Sequence, residues 1–210
     1  MLPEIIKVLS DRITRSGVVE KVFGLGTVYR LKDSTEPVVF ENGQPVHIDF
    51  DQHKTLCFFL LNGPVSQAQR DNDVSYGVFI TKKVPLRLIY FSAGRDERIC
   101  LPLHERDVQN IISLLAFQDD KELRDEFKLS SVSFQVTSQE FRSEIVWAQI
   151  FGKLNYNLNE TQQLFSIDFD LNFEGDPSCW LIQPCATDKI LDDENRQPMQ
   201  NATGEVIFYN

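Results

Sequence analysis

Apolar and polar residues alternate without a fault in the stretch FSIDFDLNFE, residues 165–174. A period of two is typical of a β-strand that has one buried face and one wet face. The apolar positions are Phe165, Ile167, Phe169, Leu171 and Phe173. The wet face would carry Asp168, Asp170, Asn172 and Glu174, which we call the acidic row.

Apolar residues at helical spacing predict three helices elsewhere in the chain. The first covers residues 3–14, with Pro3 in its first turn and Ser16-Gly17 at its end. The second covers residues 106–117, where Val108, Ile111, Ile112 and Leu115 fall on one stripe. The third, DKELRDEFKL at residues 120–129, is shorter.

Several further segments favour strands. Residues 18–31 predict a hairpin or two short strands, and residues 37–50 alternate weakly around an Asn42-Gly43 turn. Residues 55–61 and 84–92 predict strands buried on both faces, and residues 132–136 and 144–151 predict two more. The polar residues 62–77 predict a loop.

Helices segregated from a run of strands indicate an α+β domain. We expect an antiparallel or mixed β-sheet flanked by two or three α-helices over residues 1–175. Residues 176–210 have little periodic apolar content and predict an extended C-terminal arm. The arm ends in an apolar run, Val206, Ile207, Phe208 and Tyr209, which would be a liability if left exposed.

The charge of the chain limits its partners. Its formal net charge of −10 argues against a nucleic-acid-binding surface, although it does not exclude DNA that passes nearby without being held. No apolar run of about 18 residues and no N-terminal signal pattern are present, so we expect a soluble, unsecreted protein with no membrane partner. Cys57, Cys100, Cys179 and Cys185 match no zinc spacing and are expected to be free thiols.

The acidic row begins like a calcium loop, D-x-D-x-N, but it fails two requirements of that loop. The sixth position needs glycine and holds Phe173, and the twelfth needs glutamate and holds Cys179. Paired carboxylates could act as acid and base, yet nothing in the sequence gives them different environments. We therefore expect a solvated sheet face, with no catalytic residue, no metal and no cofactor.

The order of elements resembles that of the tail-terminator proteins of long-tailed bacteriophages and of related neck proteins at head–tail joints. The resemblance rests on the first helix, the segment Pro37-Val-Val-Phe40, and the strand at 84–92 leading into the helix at 106–117. It also rests on a final hairpin formed by residues 144–151 and 165–174. The chain departs from that pattern by an insertion near residues 62–77 and by the added arm.

The resemblance implies a non-enzymatic virion protein that forms a ring, a hexamer or dodecamer, at the phage neck or tail. Such a ring would be assembled in the host cytoplasm and would contact neck, portal-side and tail-tube proteins. DNA would pass through it without specific binding, and the acidic row could face that channel. The apolar end of the arm could then contact a neighbouring subunit.

The sequence leaves three alternative functions open. One is a podovirus-type or contractile-injection connector ring, and another is a monomeric binding module that uses the Phe-rich sheet. The third is a metal-dependent hydrolase that uses the acidic row.

Overall fold

The fold is taken from a computed structural model. It describes residues 1–30, 35–41, 44–50, 52–72, 77–93, 97–151, 158, 161–176, 189–190 and 208–209. For some residues within these ranges, including 97–104, the structure describes the secondary structure but not the side chains.

The N-terminal helix, α1 (Leu2–Ser16), confirms the first predicted helix. Its apolar stripe, Ile5, Ile6, Leu9 and Ile13, is fully buried against the sheet. The helix ends at Gly17, whose φ of 69° lies in the left-handed region that glycine adopts without strain. The Gly17 N–H donates a hydrogen bond to the carbonyl of Thr14, which closes the last turn.

The segment after α1 is one strand, so the predicted hairpin or pair of strands is wrong. Strand β1 (Lys21–Arg30) runs antiparallel to β2 (Thr35–Glu41) and parallel to β4 (Thr55–Leu61). A register shift between Val22 and Leu25 interrupts the apolar alternation without ending the strand. At Gly26 a Cβ atom would stand 3.0 Å from the carbonyl oxygen of Val38, so a side chain there would push the two strands apart by a few tenths of an ångström.

Strand β2 forms a hairpin with β3 (Gln44–His47), as the weak alternation of this segment suggested. The predicted turn residues Asn42 and Gly43 lie outside the described residues. Strand β4 is buried along six of its seven residues, which confirms the prediction of a strand with two buried faces.

Residues 62–77 contain a strand, so the loop predicted there is wrong. Strand β5 (Ser66–Asn72) pairs antiparallel with the first part of β6 (Gly77–Ala93), from Ser66 opposite Lys83 to Asn72 opposite Gly77. Strand β6 therefore begins seven residues before the predicted strand at 84–92. Its later part pairs with β4, so β4 and β5 lie end to end along the same side of β6.

Two helices follow β6. Helix α2 (Glu97–Leu115) begins earlier than predicted and buries Val108, Ile111 and Leu115. Helix α3 (Lys121–Phe127) begins after Asp120, whose side chain accepts a hydrogen bond from the Leu123 N–H and caps the helix.

Asp120 also ties α3 to α1. Arg12 donates a hydrogen bond to its Oδ2 at 2.6 Å, and the second guanidinium nitrogen reaches Glu122 at 3.1 Å. Burial by itself would raise the pKa of Asp120, but the hydrogen bonds from Arg12 and from the backbone outweigh it and lower that pKa. The carboxylate is thus kept charged at the junction of the two helices.

The last part of the domain contains a helix where a strand was predicted. Between β7 (Leu129–Glu140) and β8 (Gln162–Gly175), residues 143–151 form α4 (Ser143–Phe151). Val146, Ile150 and Phe151 are buried from this helix, and the first two are four residues apart on one helical face. Because the segment is apolar on nearly all sides, its sequence shows no clear period.

Eight strands form one mixed sheet in the order β3-β2-β1-β4-β6-β8-β7, with β5 beside β6. The first face of the sheet packs against α1, α2 and α3 over a large apolar core. On the second face, α4 covers a smaller cluster that includes Phe58, Ile89, Phe91 and Leu164. The predicted α+β class is confirmed, with four helices in the described residues instead of two or three.

Candidate functional site

The second face of the sheet is apolar where α4 covers it and polar beyond α4. We call the polar part of this face the polar half. Its members alternate along each strand with residues that face the large core, and the register of the strands places them side by side. They are Thr81, Lys83 and Arg87 of β6, Ser131, Ser133, Gln135 and Ser138 of β7, and the acidic row of β8.

Asp168 is the most closely held carboxylate of the acidic row. It stands directly opposite Arg87, whose Nε and Nη2 donate hydrogen bonds of 2.6 and 2.9 Å to its two oxygens. The Ser138 hydroxyl donates a third hydrogen bond, at 2.8 Å, to Oδ2. Both charged side chains are only 16% exposed, and the two parallel bonds fix their mutual orientation.

Asp170 is paired one step further along β8. Its Oδ2 lies 2.7 Å from the Nζ of Lys83, which is aligned with Asn172 and reaches diagonally across the strands. Lys83 is half exposed, whereas Asp170 is 19% exposed. A pair this open to water adds little stability, so its main effect is to neutralise the two charges locally.

The expectation of a solvated acidic face needs correction at these two positions. Asp168 and Asp170 are half-buried and ion-paired, and Asn172 and Glu174 are also half-buried. Across the polar half, the formal charges of Lys83 and Arg87 stand against those of Asp168, Asp170 and Glu174, which leaves −1. The surface is therefore close to neutral and carries paired charges of both signs.

The backbone of the acidic row is extended along its whole length, because β8 pairs continuously with β6 from Gly175 back to Gln162. An extended strand sends successive residues to opposite faces and cannot wrap its carboxylates around one ion. Among the residues that the structure describes, no group of three or more His, Cys, Asp or Glu side chains is placed to hold a metal ion.

A cavity adjoins the polar half at Arg87. It has a volume of about 490 Å³ and lies between β1, β4 and the end of α4. Apolar side chains of Leu25, Val28, Leu60, Leu61 and Ile150 line it, together with Thr27, Asn62, Gln149 and Arg87. Sequence patterns gave no indication of this cavity, since its walls come from four separate elements.

Part of the C-terminal arm is described. Strand β9 (Lys189–Ile190) pairs antiparallel with β10 (Phe208–Tyr209) as a separate two-stranded sheet. Val206 and Ile207 lie outside the described residues. Cys57 is a free, buried cysteine, and burial raises the pKa of its thiol.

A search against models of protein families found no match for this chain, and a search of curated proteins found none either. Within the described ranges, no helix has both the length and the apolar character needed to cross a membrane. The fold is that of an α+β protein with a mixed sheet, helices on both of its faces and a polar half beside α4 on the second face.

Proposed function

We propose that this chain is a structural subunit of a ring at the neck or tail of a bacteriophage, a tail terminator or head–tail connector. The ring would join the tail to the head and let DNA pass. The observation that carries the proposal is the polar half of the sheet, where each described cation is held by a carboxylate.

Proteins bind DNA largely by placing free lysine and arginine side chains against phosphates and releasing counterions. In the polar half, Arg87 is engaged by Asp168 through two hydrogen bonds, and Lys83 is engaged by Asp170. Phosphates that meet this surface find no unpaired cation among its described side chains. A channel wall of this kind would let a DNA duplex slide without being held.

The order of elements also supports the proposal. Helix α1 precedes a strand that contains Pro37-Val-Val-Phe40, and the long strand β6 leads into α2. The final antiparallel pair consists of β7 and β8, with α4 between them, instead of the expected hairpin from residues 144–151.

The proposed ring is a hexamer or dodecamer that is assembled in the host cytoplasm and becomes part of the virion. Its partners are portal-side, neck and tail-tube proteins, and it holds no catalytic residue, metal or cofactor. Val206, Ile207, Phe208 and Tyr209 of the arm contact a neighbouring subunit or an adjoining ring, where they would add a strand to a sheet edge. A podovirus-type or contractile-injection connector would use the same core.

The cavity beside Arg87 favours a second candidate function, a monomeric binding module. Its volume of about 490 Å³ falls within the range of small-molecule sites, and its lining combines apolar walls with a few polar groups.

The pairing of the polar half can be tested through DNA binding. Replacing Asp168 and Asp170 together with asparagine releases Arg87 and Lys83 from their ion pairs. We expect the wild-type protein not to bind duplex DNA and the double variant to bind it at low salt. Binding should weaken with salt, with a log–log slope of about −2 per subunit for two phosphate contacts. Fluorescence anisotropy of a labelled duplex measures both.

The matched control replaces Asp11 and Asp125, which are exposed on α1 and α3, with asparagine. This variant has the same net charge as the first one but leaves Arg87 and Lys83 paired. Equal DNA binding by the two variants would mean that overall charge alone decides, and DNA binding by the wild-type protein would contradict the proposed channel surface. Circular dichroism melting confirms that each variant is folded.

A further inference from the structure

The surface at the end of β4 and along β5 differs from the rest of this acidic chain. Every residue from 61 to 69 is exposed, and none of them is charged. Two large hydrophobic side chains are exposed among those that the structure describes, Leu61 at 50% and Val65 at 47%, and both belong to this segment. We call residues 61–69 the neutral segment. Exposed hydrophobic groups and a scarcity of charge are typical of the centre of a protein–protein interface.

The neutral segment also includes an open sheet edge. The sheet has an edge at β3, which is only four residues long and contains Pro45, so few main-chain donors are available there. The edge at β7 is partly closed, because Phe117 and Phe134 exchange two backbone hydrogen bonds of 3.0 and 2.9 Å. Strand β5 is seven residues long, lacks proline and pairs only with β6 within the described residues.

The first four residues of β5 bury no side chain. Ser66, Gln67, Ala68 and Gln69 project to both faces of the β5–β6 hairpin, and all four are exposed. On the other side of β6, the partners of these four residues pair with β8, so β5 is the outermost strand of the sheet here. Within the described residues, the outward main-chain groups of β5 have no strand beside them. This edge can therefore accept another strand.

The charge of the chain indicates which partner fits. A basic protein would be drawn to an acidic surface, and the neutral segment offers it no carboxylate. Two copies of a chain with a net charge of −10 repel each other, so they approach at least cost where neither surface is charged. The first four residues of β5, Ser66–Gln69, carry no charge, and Arg70 and Asp71 follow them in the strand. Pairing through the first four residues places no like charges opposite one another across the strands.

We propose that the neutral segment is the surface through which this chain binds a second copy of itself. An edge strand of the second copy pairs with β5, and the contact covers Leu61 and Val65. The inference deepens the proposed function, because it names the contact between neighbouring subunits and rests on the chain forming an oligomer.

Substitutions in the neutral segment test this proposal. Val65→Glu and Ala68→Glu each place a carboxylate on the segment, and both positions are exposed in the single chain, so the melting temperature of the monomer should not change. We expect the association constant to fall at least about tenfold in each variant. Size-exclusion chromatography with light scattering, over a range of protein concentrations, measures the assembly.

Two controls match these variants. Val65→Thr keeps the branched shape without a charge, and Ala148→Glu adds the same charge at an exposed position on α4. Both should assemble like the wild-type protein. The proposal is overturned if Val65→Glu and Ala68→Glu also assemble like the wild type, or if the wild type is a monomer. A wild-type dimer that Val65→Glu dissociates would support this surface and contradict the ring.

Discussion

Replacing Phe169 with alanine is expected to lower the free energy of unfolding by about 3–5 kcal/mol, as for other buried phenylalanines. Phe169 is 1% exposed in the middle of β8, between Leu86 of β6 and Val136 of β7. Its ring stacks on that of Phe134, with 4.4 Å between the ring centroids. Truncation would leave a cavity that these strands cannot close, because their register is fixed on both sides. Urea denaturation followed by fluorescence measures the loss.

The adjacent residue provides the control. Asp170→Ser changes the opposite face of the same strand and removes the half-exposed pair with Lys83, so its effect should not exceed about 1 kcal/mol. Equal losses at the two positions would show that Phe169 does not face the core, since a slip of one residue in the register of β8 exchanges its two faces.

Deleting residues 188–210 is expected to leave the melting temperature of the single subunit unchanged and to abolish assembly into the virion. The polar residues 188–204 offer no periodic apolar stripe that could pack on the sheet. The described part of the arm, Lys189–Ile190 and Phe208–Tyr209, forms its own small sheet. If the terminal apolar run acts on a neighbouring subunit, its loss removes a contact between chains and none within the core.

Thermal melting of the truncated subunit and its incorporation into particles are the two measurements for this deletion. A variant that replaces only Phe208 and Tyr209 with serine keeps the length of the arm and should show the same defect in assembly. A markedly lower melting temperature of the truncated monomer would mean that the arm packs on its own domain, and the proposed contact in trans would be wrong.

Elements with one dry and one wet side were predictable from the sequence. Helix α1 buries one face, and strand β8 does the same from Ile167 onward, so their apolar residues repeat with the period of the element. Helix α4 and strand β5 lack such a period for opposite reasons. Helix α4 is apolar on nearly all sides, and β5 is polar, with Ser66–Gln69 exposed on both faces, so neither pattern could distinguish a helix or a strand from its alternatives.

The candidate site was predictable only in part. The alternation of residues 165–174 placed the carboxylates of the acidic row on one face of a strand. It could not show that Lys83 and Arg87 are their partners, because that depends on the register between β6 and β8. The spacing of Lys83 and Arg87 was an available indication, since residues four apart in a strand share a face. The prediction that residues 84–92 are buried on both faces overlooked it.

The mass of the purified protein under native conditions shows whether the chain forms a ring. Native mass spectrometry should find a single closed stoichiometry of six or twelve chains that persists on dilution. Electron microscopy of the same particles should show a central opening wide enough for a DNA duplex. A mass of one chain at every concentration, or a series of masses that grows without closing, would contradict the ring.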